Sequence, residues 1–244
     1  MRKTTDILGI QVDSLKMQEA VEILERWLTE DKVHTLYTPN AEILMAAQRD
    51  SELKGVLNNA DMLVADGAGV VLASKILKRP VPEKVSGIDL VKRSFAHASK
   101  GKISYFLLGS KPGVAEAAAV NIVNEYPGVV IAGCRNGYFK ENEEDAIIDQ
   151  INASGAAILL VALGAPRQEK WIARNKDRLR VKICAGVGGT IDVLAGTVAL
   201  APEFMRRSGF EWLFRLYREP RRAKRMLDLP RFMIKVIGLR LHGG

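Results

Sequence analysis

Alternation of apolar and amphipathic segments is the feature that most constrains the fold of this chain of 244 residues. Up to about residue 195, short and almost wholly apolar runs alternate with stretches whose apolar residues recur at helical spacing. Strands that are apolar on both faces are typical of a parallel sheet covered by helices on both sides. The sequence therefore predicts an α/β fold, with a Rossmann-like, mostly parallel sheet and helices on both faces. The predicted strands are residues 7–12, 34–37, 62–65, 103–108, 129–132, 157–163 and 181–185.

The C-terminal part of the chain has a different composition. Residues 206–240 contain eleven Lys and Arg but only three Asp and Glu, a net charge of +8. The whole chain also has a net charge of +8, so the remainder is neutral. Short helical stretches separated by Pro202, Gly209, Pro220 and Pro230 are predicted here. We therefore expect an α/β catalytic core at residues 1–196 and a basic helical appendage at residues 197–244.

Polar residues at the ends of predicted strands are the first candidates for a site, because ligands of parallel α/β sheets bind at the carboxyl ends of strands. Thr38 and Asn40 follow the second strand, although Asn40 can equally be a helix cap. Asp66 follows the strand at residues 62–65, where Asp-Gly is also a common turn. Lys84 precedes another predicted helix, where a lysine is most often only solvated.

Three further loops favour an anionic ligand. Gly109 and Ser110 lie between a strand and a helix, a turn in which helix N–H groups attract phosphate. Arg167 and Gln168 start a helix after the strand at residues 157–163, and Gly188 lies in a glycine-rich loop after the last strand. Glycines at such positions let the backbone approach a ligand closely.

The sequence lacks the residue patterns that are typical of several enzyme chemistries. The three histidines are scattered, and no His/Cys cluster has metal-ligand spacing. The glycines at 67 and 69 lack the third glycine of a dinucleotide fingerprint, which disfavours a nicotinamide or flavin enzyme. Walker and nucleophile-elbow motifs and an Asp-x-Asp pair are also missing. We therefore expect no cofactor and no metal.

The motifs in their order along the chain resemble the WecG/TagA/CpsF family of bacterial glycosyltransferases. Residues 7–226 are covered, and the matching segments are "TPNAEILMAAQRD", "ADMLVADGAGVVLAS", "VSGIDLV", "LLGSKPG", "ALGAPRQEKWI", "GVGGTIDVLAG" and "GFEWLFRLYREPRRAKRM". The resemblance implies an inverting, metal-independent enzyme. It would transfer N-acetylmannosamine from a UDP donor to the 4-hydroxyl group of N-acetylglucosamine on undecaprenyl diphosphate, in synthesis of the wall teichoic acid linkage unit. Another donor, UDP-N-acetylmannosaminuronic acid or a UDP-hexose for a different polysaccharide, is an alternative within the family.

The resemblance also assigns roles to residues. It implies that Asp66 is the general base and that Thr38, Asn40 and Gln168 are polar residues of the pocket. It implies that three arginines of the appendage act at the site and that the appendage closes over it, namely Arg215, Arg222 and Arg225. Lys84 stands where the family has an arginine; the charge is kept, but the bidentate phosphate geometry is lost.

The basic tail indicates a partner of its own. Its apolar residues, Phe232 among them, can enter a membrane interface while the arginines meet anionic head groups. No apolar run of about 18 residues and no signal peptide are visible, and the two cysteines favour reduced thiols. We therefore expect a cytoplasmic protein, peripheral on the inner face of the cell membrane. Nucleic-acid binding is the alternative, disfavoured because bulky apolar residues interrupt the charges. The oligomeric state stays open, a homo-oligomer included.

Overall fold

A six-stranded parallel sheet forms the centre of the protein. The computed structural model describes residues 2–101, 103–218, 220 and 223–242. The strands are β1 (Thr4–Ile7), β2 (Ile10–Asp13), β3 (His34–Tyr37), β4 (Met62–Leu63), β5 (Ser104–Gly109), β6 (Val130–Arg135), β7 (Ile158–Ala162) and β8 (Ile183–Gly186). In the sheet they follow the order β4-β3-β8-β7-β5-β6, with all neighbours parallel. The predicted α/β architecture is confirmed.

Helices alternate with these strands and cover the sheet. In the described residues they are α1 (Met17–Trp27), α2 (Ala41–Ala47), α3 (Ser51–Asn58), α4 (Ala68–Ile76), α5 (Gly87–Gly101), α6 (Val114–Glu125), α7 (Glu144–Ser154), α8 (Arg167–Asn175), α9 (Thr190–Leu194), α10 (Glu203–Ser208), α11 (Glu211–Arg218), α12 (Ala223–Met226) and α13 (Asp228–His242).

Each face of the sheet has its own hydrophobic core. Successive residues of a strand point to opposite faces, and β5 shows the consequence. Tyr105 and Leu107 pack in the core that includes α1, α5 and α6, whereas Phe106 and Leu108 pack in the core that includes α2, α3 and α8. All four side chains are fully buried. Burial on both faces is the physical reason why the strands read as continuous apolar runs.

The N-terminal strand prediction was wrong in one respect. The sequence indicated one strand at residues 7–12, but β1 and β2 form an antiparallel hairpin in which Ile7 pairs with Ile10. Leu8 and Gly9 form its turn, with φ values of 59° and 77°. A two-residue turn with positive φ at both positions suits the twist of a hairpin, and Gly9 was its signal in the sequence.

The C-terminal helices pack onto the sheet domain instead of extending away from it. Helix α13 contacts α2 and α4, and its Phe232 and Val236 are fully buried in the core. Asp228 at the start of α13 accepts two hydrogen bonds from Arg49, at 3.0 and 2.7 Å. The expectation that Phe232 enters a membrane was therefore wrong, because this side chain faces α2 and α4. Among the described residues, no helix combines the length and the hydropathy needed to cross a bilayer.

Candidate active site

Asp66 lies at the carboxyl edge of the sheet, where two neighbouring strands end. It follows β4, and its backbone N–H donates to the carbonyl oxygen of Pro39, which follows β3, at 3.3 Å. Gly67, with a φ of 92°, then turns the chain into α4. The main chain thus fixes Asp66 between two loops, and its side chain is held in a partly buried position.

The environment of Asp66 raises the pKa of its carboxyl group. Burial is the main cause that raises the pKa of Asp66 to about 6, and the carboxylate of Glu211 raises it further. Arg215, Lys84 and a hydrogen bond from the backbone N–H of Gly87, at 3.4 Å, act in the opposite direction. A carboxyl group with this pKa is ionised at neutral pH and can still accept a proton at little cost, as a general base requires.

A small cavity of about 90 Å³ lies in front of Asp66. Asn40 lines it from one side, while its Oδ1 accepts a hydrogen bond from the N–H of Ile43 at 3.0 Å and caps α2. Thr38 lies beside this site. A Cβ atom on Gly87 would come within 2.9 Å of the Thr38 Oγ1, so only glycine permits this close approach. The structure thus brings Thr38 and Asn40 close to Asp66, and the capping role of Asn40 is present as well.

The C-terminal helices form the opposite wall of the cavity. Arg206 and Gly209 line it from α10 and its end, and Trp212 and Arg215 line it from α11. Gly209 has a φ of 84°, and a Cβ atom there would lie 2.8 Å from the Cβ of Ala68. The segment therefore packs directly against the start of α4, over the loop that carries Asp66.

Glu211 connects the cations of the cavity. Its Oε2 lies 3.4 Å from the Nζ of Lys84, and its Oε1 accepts a hydrogen bond from Arg215. Burial opposes ionisation of Glu211, but Arg215 and Lys84 hold the pKa of this carboxyl below its usual range. An ionised carboxylate thus occupies the space between two cations that lie near Asp66.

The other predicted arginines of the appendage have different positions. Arg225 lies exposed on α12 and does not line the cavity in the part of the chain that the structure describes. Arg222 falls outside the described residues. Arg215 lies on α11, which ends at Arg218, and Arg225 lies on α12, which begins at Ala223, so these two arginines are on different helices.

Gln168 organises a second group of loops on the inner strands. Its side chain is buried; its Oε1 accepts from the N–H of Gly188 at 3.1 Å, and its Nε2 donates to Glu169 at 2.8 Å. Burial raises the pKa of Glu169. Strands β8 and β7 lie two and three positions from β4, which places these loops about 10 to 14 Å from the end of β4.

The remaining predicted residues line the same edge of the sheet. Ser110, with a φ of 58°, donates its hydroxyl to Asp192 at 3.0 Å. A Cβ atom on Gly109 would lie 2.3 Å from the carbonyl oxygen of Ala162, so β5 and β7 require glycine here. Arg167 donates to the carbonyl oxygen of Gly137 at 3.1 Å. The guanidinium group of Arg167 is thus held at the mouth of these loops.

Sequence reasoning missed Glu211 and Arg206. The spacing of Glu211 and Arg215 on one helix was visible, but nothing in the local pattern indicates that Lys84 approaches the same carboxylate. Arg206 donates two hydrogen bonds to Asp89, at 2.8 and 2.6 Å. Among the described residues, no three His, Cys, Asp or Glu side chains form a group that could hold a metal ion.

A doubly covered parallel sheet with a perturbed carboxylate at its carboxyl edge places this protein among α/β enzymes. The sequence model of the WecG/TagA/CpsF family of glycosyl transferases matches residues 5–243. The chain therefore belongs to this glycosyltransferase family, and the resemblance seen in the sequence is confirmed.

Curated relatives are similar over most of their length. A protein of Bacillus spizizenii is 33% identical over 211 residues, covering 86% of this chain and 81% of the relative. A Bacillus subtilis protein is 32% identical over 236 residues, with 96% and 91% covered. A Staphylococcus aureus protein is 32% identical over 235 residues, with 95% and 91% covered. All three are named N-acetylglucosaminyldiphosphoundecaprenol N-acetyl-beta-D-mannosaminyltransferase.

Proposed function

We propose that this protein transfers N-acetylmannosamine from UDP-N-acetylmannosamine to the 4-hydroxyl group of N-acetylglucosamine on undecaprenyl diphosphate, with inversion and without a metal. The names of the relatives support the sugar and the acceptor. The observation that carries the mechanism is the carboxyl group of Asp66, whose pKa burial raises to about 6, in a cavity that is also lined by Lys84, Arg206, Arg215, Glu42 and Glu211.

An inverting transfer is one displacement that needs one base. Asp66 accepts the proton of the acceptor hydroxyl while that oxygen forms a bond to the anomeric carbon. The bond between this carbon and the phosphate oxygen of UDP breaks on the opposite face, and UDP leaves as an anion. A second carboxylate acting as nucleophile, as in retaining hydrolases, has no step to perform here.

The donor and the acceptor each carry a negatively charged diphosphate, which cationic side chains must stabilise. Lys84 and Arg215 lie close enough to Asp66 to influence its pKa, so they also lie close to a sugar that reacts there. When a diphosphate binds, its oxygens can replace the Glu211 carboxylate as partners of these two cations. Fixed cations that face developing negative charge stabilise the transition state more strongly in a cavity than in water.

We assign the binding of the UDP donor to the loops that follow β5, β7 and β8. Gly109, Ser110, Gln168 and Gly188 present close backbone and polar groups at the carboxyl edge of the sheet. Helices α6 and α8 begin in two of these loops, and helix N-termini favour phosphate. The acceptor then approaches from the side of Asp66 and the appendage.

The appendage supplies a surface for a membrane. Exposed apolar side chains lie beside exposed arginines on its helices; they include Phe204, Phe210, Trp212, Leu213, Tyr217, Ile234 and Leu241. An apolar surface bordered by cations suits the interface of an anionic bilayer. Because a polyprenyl-linked acceptor stays in the bilayer, we propose that the enzyme acts as a peripheral protein on the inner face of the cell membrane. The division at residue 196 stays a prediction.

Transfer from a panel of UDP-sugars to a short-chain prenyl diphosphate–N-acetylglucosamine tests the proposal. We expect product only from UDP-N-acetylmannosamine, with the anomeric configuration inverted by NMR, and none with Asp66→Asn. Preference for a UDP-hexose or for the uronic acid donor would assign another polysaccharide. Near-normal turnover by Asp66→Asn would refute the assignment of the base.

Flotation with liposomes tests the membrane surface. We expect binding to anionic vesicles that weakens as salt increases, and no shift of a DNA fragment at the same salt concentrations. A DNA shift without flotation would favour the nucleic-acid alternative.

A further inference from the structure

A groove of about 450 Å³ runs between α4 and α10, next to the cavity that contains Asp66. We propose that it binds the polyprenyl diphosphate arm of the acceptor, with the diphosphate at its inner end and the first isoprenoid units on its apolar floor. This inference rests on the proposed function, since it concerns the same acceptor.

One face of α4 forms the floor of the groove. Ala68, Val71, Leu72 and Lys75 line it, and their spacing of three and four residues puts them on one side of the helix. From Ala68 to Lys75 the helix rises about 10 Å. Helix α4 begins directly after Asp66 and Gly67, so the groove leads away from the proposed base.

The groove adjoins the catalytic cavity and shares part of its lining. Ala68, Lys84 and Arg206 line both. A molecule whose reacting hydroxyl lies at Asp66 can therefore extend past Lys84 and Arg206 into the groove. The loops assigned to the donor, which carry Gln168 and Gly188, contribute nothing to the groove's lining in the described residues.

The chemistry of the walls fits an anion joined to an apolar chain. Leu72 is 49% exposed and presents an accessible apolar side chain between charged ones. The formal charge of the lining is +2, from four cations (Lys75, Lys84, Arg206, Arg207) and two carboxylates (Asp89, Glu203). Among the described residues Lys75 has no carboxylate partner, whereas the other three cations are paired: Lys84 with Glu211 from outside the groove, Arg206 with Asp89 and Arg207 with Glu203. An excess of positive charge beside an apolar floor favours an anionic lipid over a neutral one.

Helix α10 links the groove to the proposed membrane surface. It forms one wall through Arg206 and Arg207, and it also carries Phe204, which is 70% exposed. An isoprenoid chain that leaves the groove along α10 thus reaches the membrane surface of the same helix. A free nucleotide has no apolar chain that could extend along this path to a membrane.

Equilibrium binding of a soluble prenyl diphosphate with three isoprenoid units tests the groove in the full-length protein. We expect Leu72→Glu and Lys75→Glu each to weaken binding about tenfold or more, whereas UDP binding stays unchanged. The matched controls are Val120→Glu, an exposed apolar residue on α6, and Lys235→Glu, an exposed lysine on α13. Both should bind as the wild type does. Leu72 is half-exposed and Lys75 exposed, so folding should survive, as urea unfolding will verify.

Inorganic diphosphate and a short-chain anionic phospholipid distinguish the occupants. Inorganic diphosphate should bind more weakly than the prenyl diphosphate, because it has no apolar chain to contact Leu72. Equal effects of Leu72→Glu and Val120→Glu, weakened UDP binding, or full displacement by the phospholipid would each overturn the proposal. The binding assay is independent of the transfer assay. If the protein binds prenyl diphosphate in the groove but does not transfer N-acetylmannosamine, the proposed function is refuted and the proposed binding site is not.

Discussion

Replacement of Asp66 by asparagine should abolish transfer and at the same time stabilise the folded protein. The pKa of Asp66 rises from 3.8 to about 6 on folding, mainly because the carboxyl is buried. Between these two values the folded protein binds a proton that the unfolded chain does not bind, so stability falls as the pH increases through this window. Each pKa unit corresponds to about 1.4 kcal/mol, so ionised Asp66 destabilises the fold by about 3 kcal/mol at most at pH 7.

The amide of Asp66→Asn has no charge to bury and no basic oxygen to accept a proton. The free energy of unfolding should therefore rise at pH 7 by an amount approaching that value. The gain should be much smaller at pH 4, where the wild-type carboxyl is almost wholly protonated when folded and somewhat less than half protonated when unfolded, and it should vanish only below about pH 3. Urea unfolding followed by circular dichroism at both pH values measures this difference, and a transfer assay at pH 7 measures the loss of activity.

Asp61 provides the matched control with the opposite sign. Burial by itself would raise the pKa of Asp61, but hydrogen bonds from Lys32 and Thr35 hold this pKa below its usual range. Asp61→Asn should thus destabilise the protein at pH 7, and less so in acid. If Asp66→Asn were less stable than the wild type at pH 7, or equally stabilised at pH 4 and pH 7, the burial argument for the base would be refuted.

Three further predictions concern the site and its frame. Below about pH 6, kcat/KM should fall tenfold per pH unit, because Asp66 becomes protonated. Glu211→Gln should shift this decrease to lower pH, because it removes a like charge near Asp66. An unchanged pH profile would exclude this role of Glu211. Gly109→Ala should lower the free energy of unfolding by about 2 kcal/mol or more, because its Cβ would meet the Ala162 carbonyl oxygen. Gly113→Ala, also at positive φ but in open space, should cost less, and equal losses in chemical denaturation would contradict the packing argument. EDTA should leave transfer unchanged; inhibition that added metal reverses would contradict the metal-independent scheme.

Local pattern predicted the parallel sheet because each strand is buried on both faces and reads as an apolar run. The same pattern misled at residues 7–12, since apolar residues on either side of a two-residue turn look like one strand. Helix α13 shows a second limit. Phe232 and Val236 are buried against α2 and α4, whereas Ile234 and Ile237 on the other side are exposed. An apolar stripe in a sequence does not say whether a core or a membrane covers it.

The position of Asp66 follows from its sequence context, because a residue after a buried parallel strand must lie at the carboxyl edge of the sheet. Its role as base came from the order of motifs along the chain and stays a prediction. The partners of Asp66 required the tertiary structure. Glu211 reaches Lys84, and Arg215 lies near Asp66, only because α10 and α11 fold back over the start of α4. The spacing of apolar residues in a sequence shows which face of a helix is apolar, but not which distant element that face contacts. The charged partners that set the pKa of Asp66, and the groove beside it, could therefore be recognised only in the folded chain.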